Sequence, residues 1–436
     1  MKNSLLVCVI FSLNCCGPIL AADAIDRLTA GRLEAVHQAV IKLKSDRRPL
    51  SRSDKLIDVR ANLHVHSAFS HDSRGKIDDI VTAAKAAGTQ VLLFTEHPAD
   101  HYDIFRDGHQ GLRDGVLLIP GAETSGMLIY PRQSIKEFLK ATPQELSEIV
   151  RGRDGLTFLS HLEERMDWEL RGLTGVEIYN THADAKDEKR LLSSVKNPLW
   201  LMQAADLYQR YPQEAFSSLQ DYPKDYLKRW DELCQSTPHT GVSANDAHQN
   251  IGISVIMADE GKVRVEDPLG ELLLMLDAVV FNTIKPIPKD AKVGDSLFQL
   301  RLDPYENSLR HVGTHLLVTE LSQPAVWQAL NNGLAFVAFD WMADATGFDF
   351  VAQSGGVRHE QGSQFKYSQE TKLTGQSPLP AKWKLIRNGE LISQSDGRTF
   401  ETSVKAAGNY RVELWLDLAG EDRVWIMSNP IYISEN

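Results

Sequence analysis

His64, His66, Asp72, His97, Glu123, His161, Asp246 and His248 are imidazoles and carboxylates, and almost all of them stand where a short apolar run ends. Ile57 to Leu63 leads into His64-Val65-His66, and Asp72 follows in Ser70-His71-Asp72-Ser73. Val91 to Phe94 leads into Thr95-Glu96-His97, Val116 to Ile119 into Gly121-Ala122-Glu123, and Leu156 to Leu159 into Ser160-His161. Val176 to Tyr179 ends at Asn180-Thr181-His182, and Gly241 to Ala244 at Asn245-Asp246-Ala247-His248. Such nitrogen and oxygen donors, with no thiolate among them, suit Zn²⁺, Mn²⁺ or Fe²⁺ and exclude a structural cysteine site. They are more than one ion needs, so two or three divalent ions per chain are expected, with Glu123 or Asp246 as a bridge. Ions about 3.5–4 Å apart clamp an in-line displacement at phosphorus or a carbonyl, and one of them lowers the pKa of bound water towards ~7, making hydroxide the nucleophile.

Elements must bring these residues together. Residues two apart in a strand face the same way, so the imidazoles of His64 and His66 share a side. The apolar runs alternate with helical patterns such as Ile77 to Ala87 and Pro143 to Val150. Continuous apolar strands between helices predict a parallel sheet covered by helices, and six or more such units favour a barrel. In a parallel barrel every strand ends on one face, where the donors would converge. The fold class is therefore α/β. Residues 24 to 44 read as one amphipathic helix, within an N-terminal segment 23–54. Residues 186–236, rich in Leu, Tyr and Trp, read as a helical insertion that packs on the barrel, with a lid over the site as the alternative. The Asn388-Gly389 pair between apolar segments signals a hairpin, and residues 346–436 read as a β-sandwich.

His64-Val65-His66-Ser67, Ser70-His71-Asp72-Ser73, Phe94-Thr95-Glu96-His97, Gly121-Ala122-Glu123, Ser160-His161 and Asp246-Ala247-His248 together resemble the polymerase and histidinol phosphatase (PHP) superfamily. The resemblance covers residues 55–345. It implies a distorted (β/α)7 barrel, a cluster of up to three metals and hydrolysis of phosphoesters. It assigns His64, His66, Glu123 and Asp246 to one metal, Glu123 and His161 to a second, and Asp72, His97 and His248 to a third, with His71 as the alternative to Asp72. One departure stands out. The family's additional His between Glu123 and His161 is absent, and Gly126-Met127-Leu128 stands in its place. His182 is then either the completing ligand or a substrate contact. The C-terminal Ser428-Asn429-Pro430-Ile431-Tyr432 strand looks like the β-domain of exported members, a looser likeness.

The 436 residues, 42% hydrophobic and 24% charged, are those of a globular protein of two or three domains. A net charge of −11 argues against a nucleic-acid partner. It does not argue against an anionic substrate, because bound cations invert the local field. Lys2, the apolar run Leu5 to Leu13 and the small residues near Ala22 read as a cleaved signal peptide, residues 1–22, and hence a periplasmic or secreted protein with no transmembrane segment. Leu13 and Asn14 make a poor lipoprotein signal before Cys15 and Cys16. Cleavage would leave Cys234 as the sole cysteine and no intrachain disulfide.

The expected function is an exported metal-dependent phosphoesterase acting on a small-molecule phosphoester. Asp246, His248 and His182 carry the proton transfers, and Arg74, Arg165 and His182 contact the substrate, each arginine as a bidentate phosphate clamp. The alternatives are a hydrolase of C–N or C–O bonds and a non-catalytic metal- or glycan-binding protein, with glycan contact through the C-terminal domain.

Overall fold

The computed structural model describes residues 23–52, 55–195 and 197–435. The signal-peptide segment lies outside them. The strands expected from the apolar runs form at Ile57–Val65, Val91–Phe94, Val116–Ile119, Leu156–Leu159, Gly175–Asn180 and Thr240–Ala247. Ile57–Val65 pairs in parallel with Val91–Phe94 on one side and with Thr240–Ala247 on the other. Parallel pairing continues from Val91–Phe94 to Val116–Ile119, and from Leu156–Leu159 through Gly175–Asn180 to Thr240–Ala247. Every side chain of Val91–Phe94, Val116–Ile119 and Leu156–Leu159 is buried, which is why these runs are apolar throughout rather than alternating.

An unexpected hairpin sits between the two halves of this array. Ala122–Thr124 turns back through Ser125 and Gly126 into Met127–Tyr130, which pairs antiparallel with Leu156–Leu159. Both turn residues have positive φ, 50° and 73°, the requirement of a tight two-residue hairpin turn. A bridge between Glu96 and Ala122 ties the hairpin to the neighbouring strand.

The covering helices follow ordinary signals. Ile77–Ala87 buries Ile80, Val81, Ala84 and Ala87 and stops at Gly88, whose φ of 81° no side chain adopts cheaply. Pro143–Arg151 starts with a Thr142/Glu145 capping box and a first-turn proline. The single helix expected over 24–44 is instead two, Ala24–Arg27 and Ala30–Asp46. The five-residue step from Leu28 to Leu33 would rotate one of them off the buried face of a continuous helix, and the extended Thr29 resets the phase.

The 186–236 segment is helical, with Lys189–Val195, Pro198–Arg210, Pro212–Phe216 and Lys224–Ser236. Trp230 anchors it: the indole is buried, its Nε1–H donates to the His239 carbonyl at 2.8 Å, and Gly241 beneath leaves no room for a Cβ. A second inserted unit was not expected. Residues 252–301 carry a four-stranded antiparallel sheet in the order Leu272–Asp277, Lys262–Glu266, Gly252–Met257, Ser296–Arg301, with the helix Ala278–Ile284 against it. It has its own core of Ile253, Val255, Val263, Val265 and Phe281.

The C-terminal region is β-rich. The Asn388-Gly389 turn joins Lys372–Arg387 to Glu390–Ser403, and Gly408–Asp417, Asp422–Ser428 and Ile431–Ser434 follow. This region is continuous with what precedes it. Gly313–Val318 pairs antiparallel with the first half of Ile57–Val65. Ala335–Ala338 pairs with Gly313–Val318 on one edge and with Asp422–Ser428 on the other. The boundary expected after residue 345 falls in a buried stretch, between Trp341 and Phe348. Among the described residues no helix is long and apolar enough to cross a membrane.

Candidate metal centre

The donors meet at the C-terminal ends of the parallel strands. His64, Glu123, His161 and Asp246 form one group of four whose ligand atoms lie within 4.8 Å of one another, and His66, Asp72, His97 and His248 form a second. Within the first group His64 Nε2 is 3.1 Å from Glu123 Oε2 and 3.2 Å from Asp246 Oδ1. His161 Nε2 is 3.2 Å from Glu123 Oε1 and 3.5 Å from Asp246 Oδ2. In the second, Asp72 Oδ2 is 3.2 Å from the Nε2 of both His97 and His248. Donors about 2.0–2.1 Å from one tetrahedral ion stand about 3.4 Å apart, so these spacings are those of a ligand shell.

Two carboxylates link the groups. Glu123 Oε2 also lies 3.6 Å from His66 Nε2 and 3.8 Å from His97 Nε2, and Asp246 Oδ1 lies 3.6 Å from His66 Nε2. The family resemblance places His66 with His64; here His66 clusters with Asp72, His97 and His248, and its Nε2 is also 3.6 Å from both carboxylates of the first group. His64 has a φ of 61°, the strand register shifts between Leu63 and Val65, and the two rings are tilted 48° apart. His161 and Asp246 also have positive φ, 46° and 49°. Backbone held in this costly region clusters where function needs it.

The residues present fit bound cations. Among the described residues the buried Nε2 atoms of His64, His66 and His248 and Oδ1 of Asp72 make no well-aligned hydrogen bond; the three Nε2 atoms face carboxylate oxygens at 3.1–3.6 Å, the disposition of donors that share a cation. Each of these rings is aimed by its other nitrogen. His64 Nδ1 lies 2.7 Å from Glu177 Oε1. His66 Nδ1 lies 3.0 Å from Ser70 Oγ, which donates to Glu96 Oε2 at 2.7 Å. His248 Nδ1 lies 2.9 Å from the Asp246 carbonyl. Fixing Nδ1 in this way presents Nε2 to a metal.

Without a cation the charges compensate one another. Burial alone would lower the His64 pKa, but the Asp246, Glu123 and Glu177 carboxylates raise it well above its usual value. Burial likewise opposes the charge on His161, yet hydrogen bonds to Glu123 and Glu163 lift it to about 10. Glu123 and Asp246 are held far below the usual carboxylate range despite burial, chiefly by the His64 charge. His66 goes the other way, pushed down by burial and by the charges of His248 and His64. These are protons a divalent ion would displace.

The remaining sequence candidates fall around the rim. Asp72, and not His71, enters the cluster; His71 is exposed. His182 lies outside both groups, its Nδ1 2.9 Å from Asp246 Oδ2 and its side chain 41% exposed. Arg74 is exposed and donates through one Nη to the carbonyls of His71 and Ser73. Arg165 donates to the carbonyls of Ser160 and His161 at 3.1 Å, so it braces the His161 turn. Where the family's additional His was missed, Gly126 packs under Arg165 and Trp168, and a Cβ there would meet both.

Sequence reasoning gave no role to Glu177, Glu96, Ser67, Ser70 or Tyr305. Glu177 accepts the His161 N–H at 2.8 Å through its second oxygen, and Glu96 accepts from the backbone and hydroxyl of Ser67. The Tyr305 hydroxyl lies within 3.1 Å of the carbonyls of His66 and His248, over Gly75, which leaves space for the ring. The available signal was an acid inside an otherwise apolar run, Val176-Glu177-Ile178, since a buried carboxylate must have partners.

The family model described as "PHP domain" matches residues 62–238. No curated protein matches the chain. Among solved structures the chain is similar, at 12% identity and a TM-score of 0.37, to a two-domain protein containing a predicted PHP-like metal-dependent phosphoesterase from Bacteroides vulgatus ATCC 8482; the match covers 88% of this chain and 98% of that one.

Proposed function

We propose that this chain, whose residues 62–238 match the PHP domain, is a metal-dependent hydrolase of that superfamily and hydrolyses phosphoesters of small molecules at a centre of two or three divalent ions. The pairing of strands around the site is read as the superfamily's distorted (β/α)7 barrel, followed by a C-terminal β-sandwich. The observation that carries the reading is the double bridge: Glu123 and Asp246 each reach donors of both four-residue groups.

Bound there, Zn²⁺, Mn²⁺ or Fe²⁺ would supply Lewis acidity, an activated water and charge to neutralise phosphate oxygens. His64, Glu123, His161 and Asp246 would hold one ion and His66, Asp72, His97 and His248 another. The chain's own contribution is orientation and proton handling. Glu177 and Ser70 lock the tautomers of His64 and His66. Asp246 fixes the His182 ring through Nδ1, leaving Nε2 at the rim to hand a proton to the departing alcohol. In the overall step a water oxygen joins phosphorus, the P–O bond to the alcohol breaks, and that alcohol leaves with a proton. Residues 1–22 read as a signal for export, which a mature N-terminus at or near Asp23 would bear out.

The test is phosphate release from a panel of phosphomonoesters and diesters by protein loaded with each metal in turn. Turnover that chelator removes and that Asp246→Asn abolishes is expected. Absence of metal-dependent turnover of every ester overturns the proposal.

A further inference from the structure

The unit over 252–301 closes a core of its own but leaves one side bare. Its sheet ends in Leu272–Asp277 on one edge and Ser296–Arg301 on the other. Among the described residues Leu272–Asp277 pairs with Lys262–Glu266 alone, so the backbone N–H and C=O groups along its outer side have no strand to bond. Proteins that stay single blunt such edges with charge, proline or a covering element. Ser296–Arg301 follows that practice, carrying Gln299 and the guanidinium of Arg301. Leu272–Leu276 does not, being Leu-Leu-Leu-Met-Leu without a polar side chain.

The side chains around this edge are bare as well. Leu272, Leu273 and Met275 on the strand are each at least 40% exposed, as are Val279, Val280 and Ile284 on the helix Ala278–Ile284 that follows it. That helix lies against Leu272–Asp277 and Lys262–Glu266. Outside this unit the large exposed apolar residues stand singly in sequence or, at Leu391-Ile392, as a pair. Six half-covered side chains present on the order of 500 Å², so two copies face to face would bury about 1,000 Å², which reaches the lower bound of a specific interface.

The chemistry of the edge selects its occupant. Bilayer hydrocarbon would cover the side chains and strand the backbone groups without partners, which open sheet edges in lipid do not tolerate. A second polypeptide strand satisfies both. A chain of net charge −11 repels its own copy unless the contact is neutral, and Leu272–Leu276 is neutral. Two-fold pairing sets one edge against its own image and uses it up. We propose that two copies of this chain associate through Leu272–Asp277, antiparallel and edge to edge, joining two four-stranded sheets into one. Val279, Val280 and Ile284 add apolar contact beside the seam. This interface is independent of the phosphoesterase reading.

Sedimentation equilibrium of the protein as isolated, from about 1 to 100 μM, covers the range in which modest interfaces form. A monomer–dimer equilibrium is expected. Leu273→Lys combined with Met275→Lys places four like charges at the seam and is expected to raise the dimer Kd at least about 30-fold. Both positions are exposed, so the circular dichroism spectrum and melting temperature of the monomer are expected to stay unchanged. In the unaltered protein, amide exchange along Leu272–Asp277 is expected to slow as concentration rises. A monomer at every concentration, a dimer indifferent to both lysines, or growth beyond two copies overturns the proposal. So does flotation of the monomer with phosphatidylcholine vesicles that the two lysines abolish, which would assign the patch to a lipid surface.

Discussion

The Nδ1 of His64 lies 2.7 Å from Glu177, and the same carboxylate receives the backbone N–H of His161 at 2.8 Å. One fully buried acid therefore sets the positions of two donors in the same four-residue group, one through its ring and one through its backbone. Glu177→Gln keeps the shape and removes the charge. A 10- to 100-fold loss of metal affinity is expected, read by titration calorimetry against an unchanged circular dichroism spectrum. Unchanged affinity would show that Glu177 does not act as a positioning residue.

His182 separates ligation from proton transfer. It touches Asp246 but belongs to neither four-residue group. In His182→Ala the number of ions per chain, counted by elemental analysis, is expected to match the wild type, while kcat falls by about 10²–10⁴. Loss of an ion in that variant would make His182 a ligand.

Divalent cations are expected to stabilise the fold. A ligand that binds only the native state adds about 2.7 kcal/mol at a hundredfold excess over Kd. Melting temperature should rise with Zn²⁺ or Mn²⁺, fall back with chelator, and stop responding in Glu123→Ala. A melting curve indifferent to metal would remove the basis for the centre.

A buried ionic cluster remote from the metal site predicts a pH dependence. His315 lies 2.7 Å from Asp58 and 3.0 Å from Asp340, which also meets Arg60 at 3.0 Å. Burial opposes the charge on His315, but the two carboxylates lift its pKa to about 10. The folded value lies above the unfolded one, near 6.5. The stabilisation is therefore complete below about pH 6.5 and is lost as pH rises through about 10. Urea midpoints should fall over that window, and His315→Gln should flatten the dependence while costing about 3–5 kcal/mol at neutral pH. A variant with the same pH profile as wild type would exclude His315 as its source.

The eight donors were legible because each closes or follows an apolar run, and parallel strands put their ends on one face. Their supports were not. Glu96 and Glu177 carry no periodic mark, and their role exists only once the strands are side by side. The left-handed backbone at His64 is likewise something strand periodicity does not foresee. The Met127–Tyr130 strand was hidden by its length and disclosed only by the Ser125-Gly126 turn. The unit over 252–301 escaped because no chemistry marks it, although the alternating burial of Lys262–Glu266 follows an ordinary two-residue period.

Ala335–Ala338 is hydrogen-bonded to a strand on each edge, one leading to the metal-bearing array and one from the C-terminal region. Crossovers between related genes survive where few contacts are cut. Such a place in this chain is the 252–301 unit, which carries its own core, not the seam after residue 345. Diversification by exchange of segments would therefore fall on that unit, leaving the array beside it to be inherited whole.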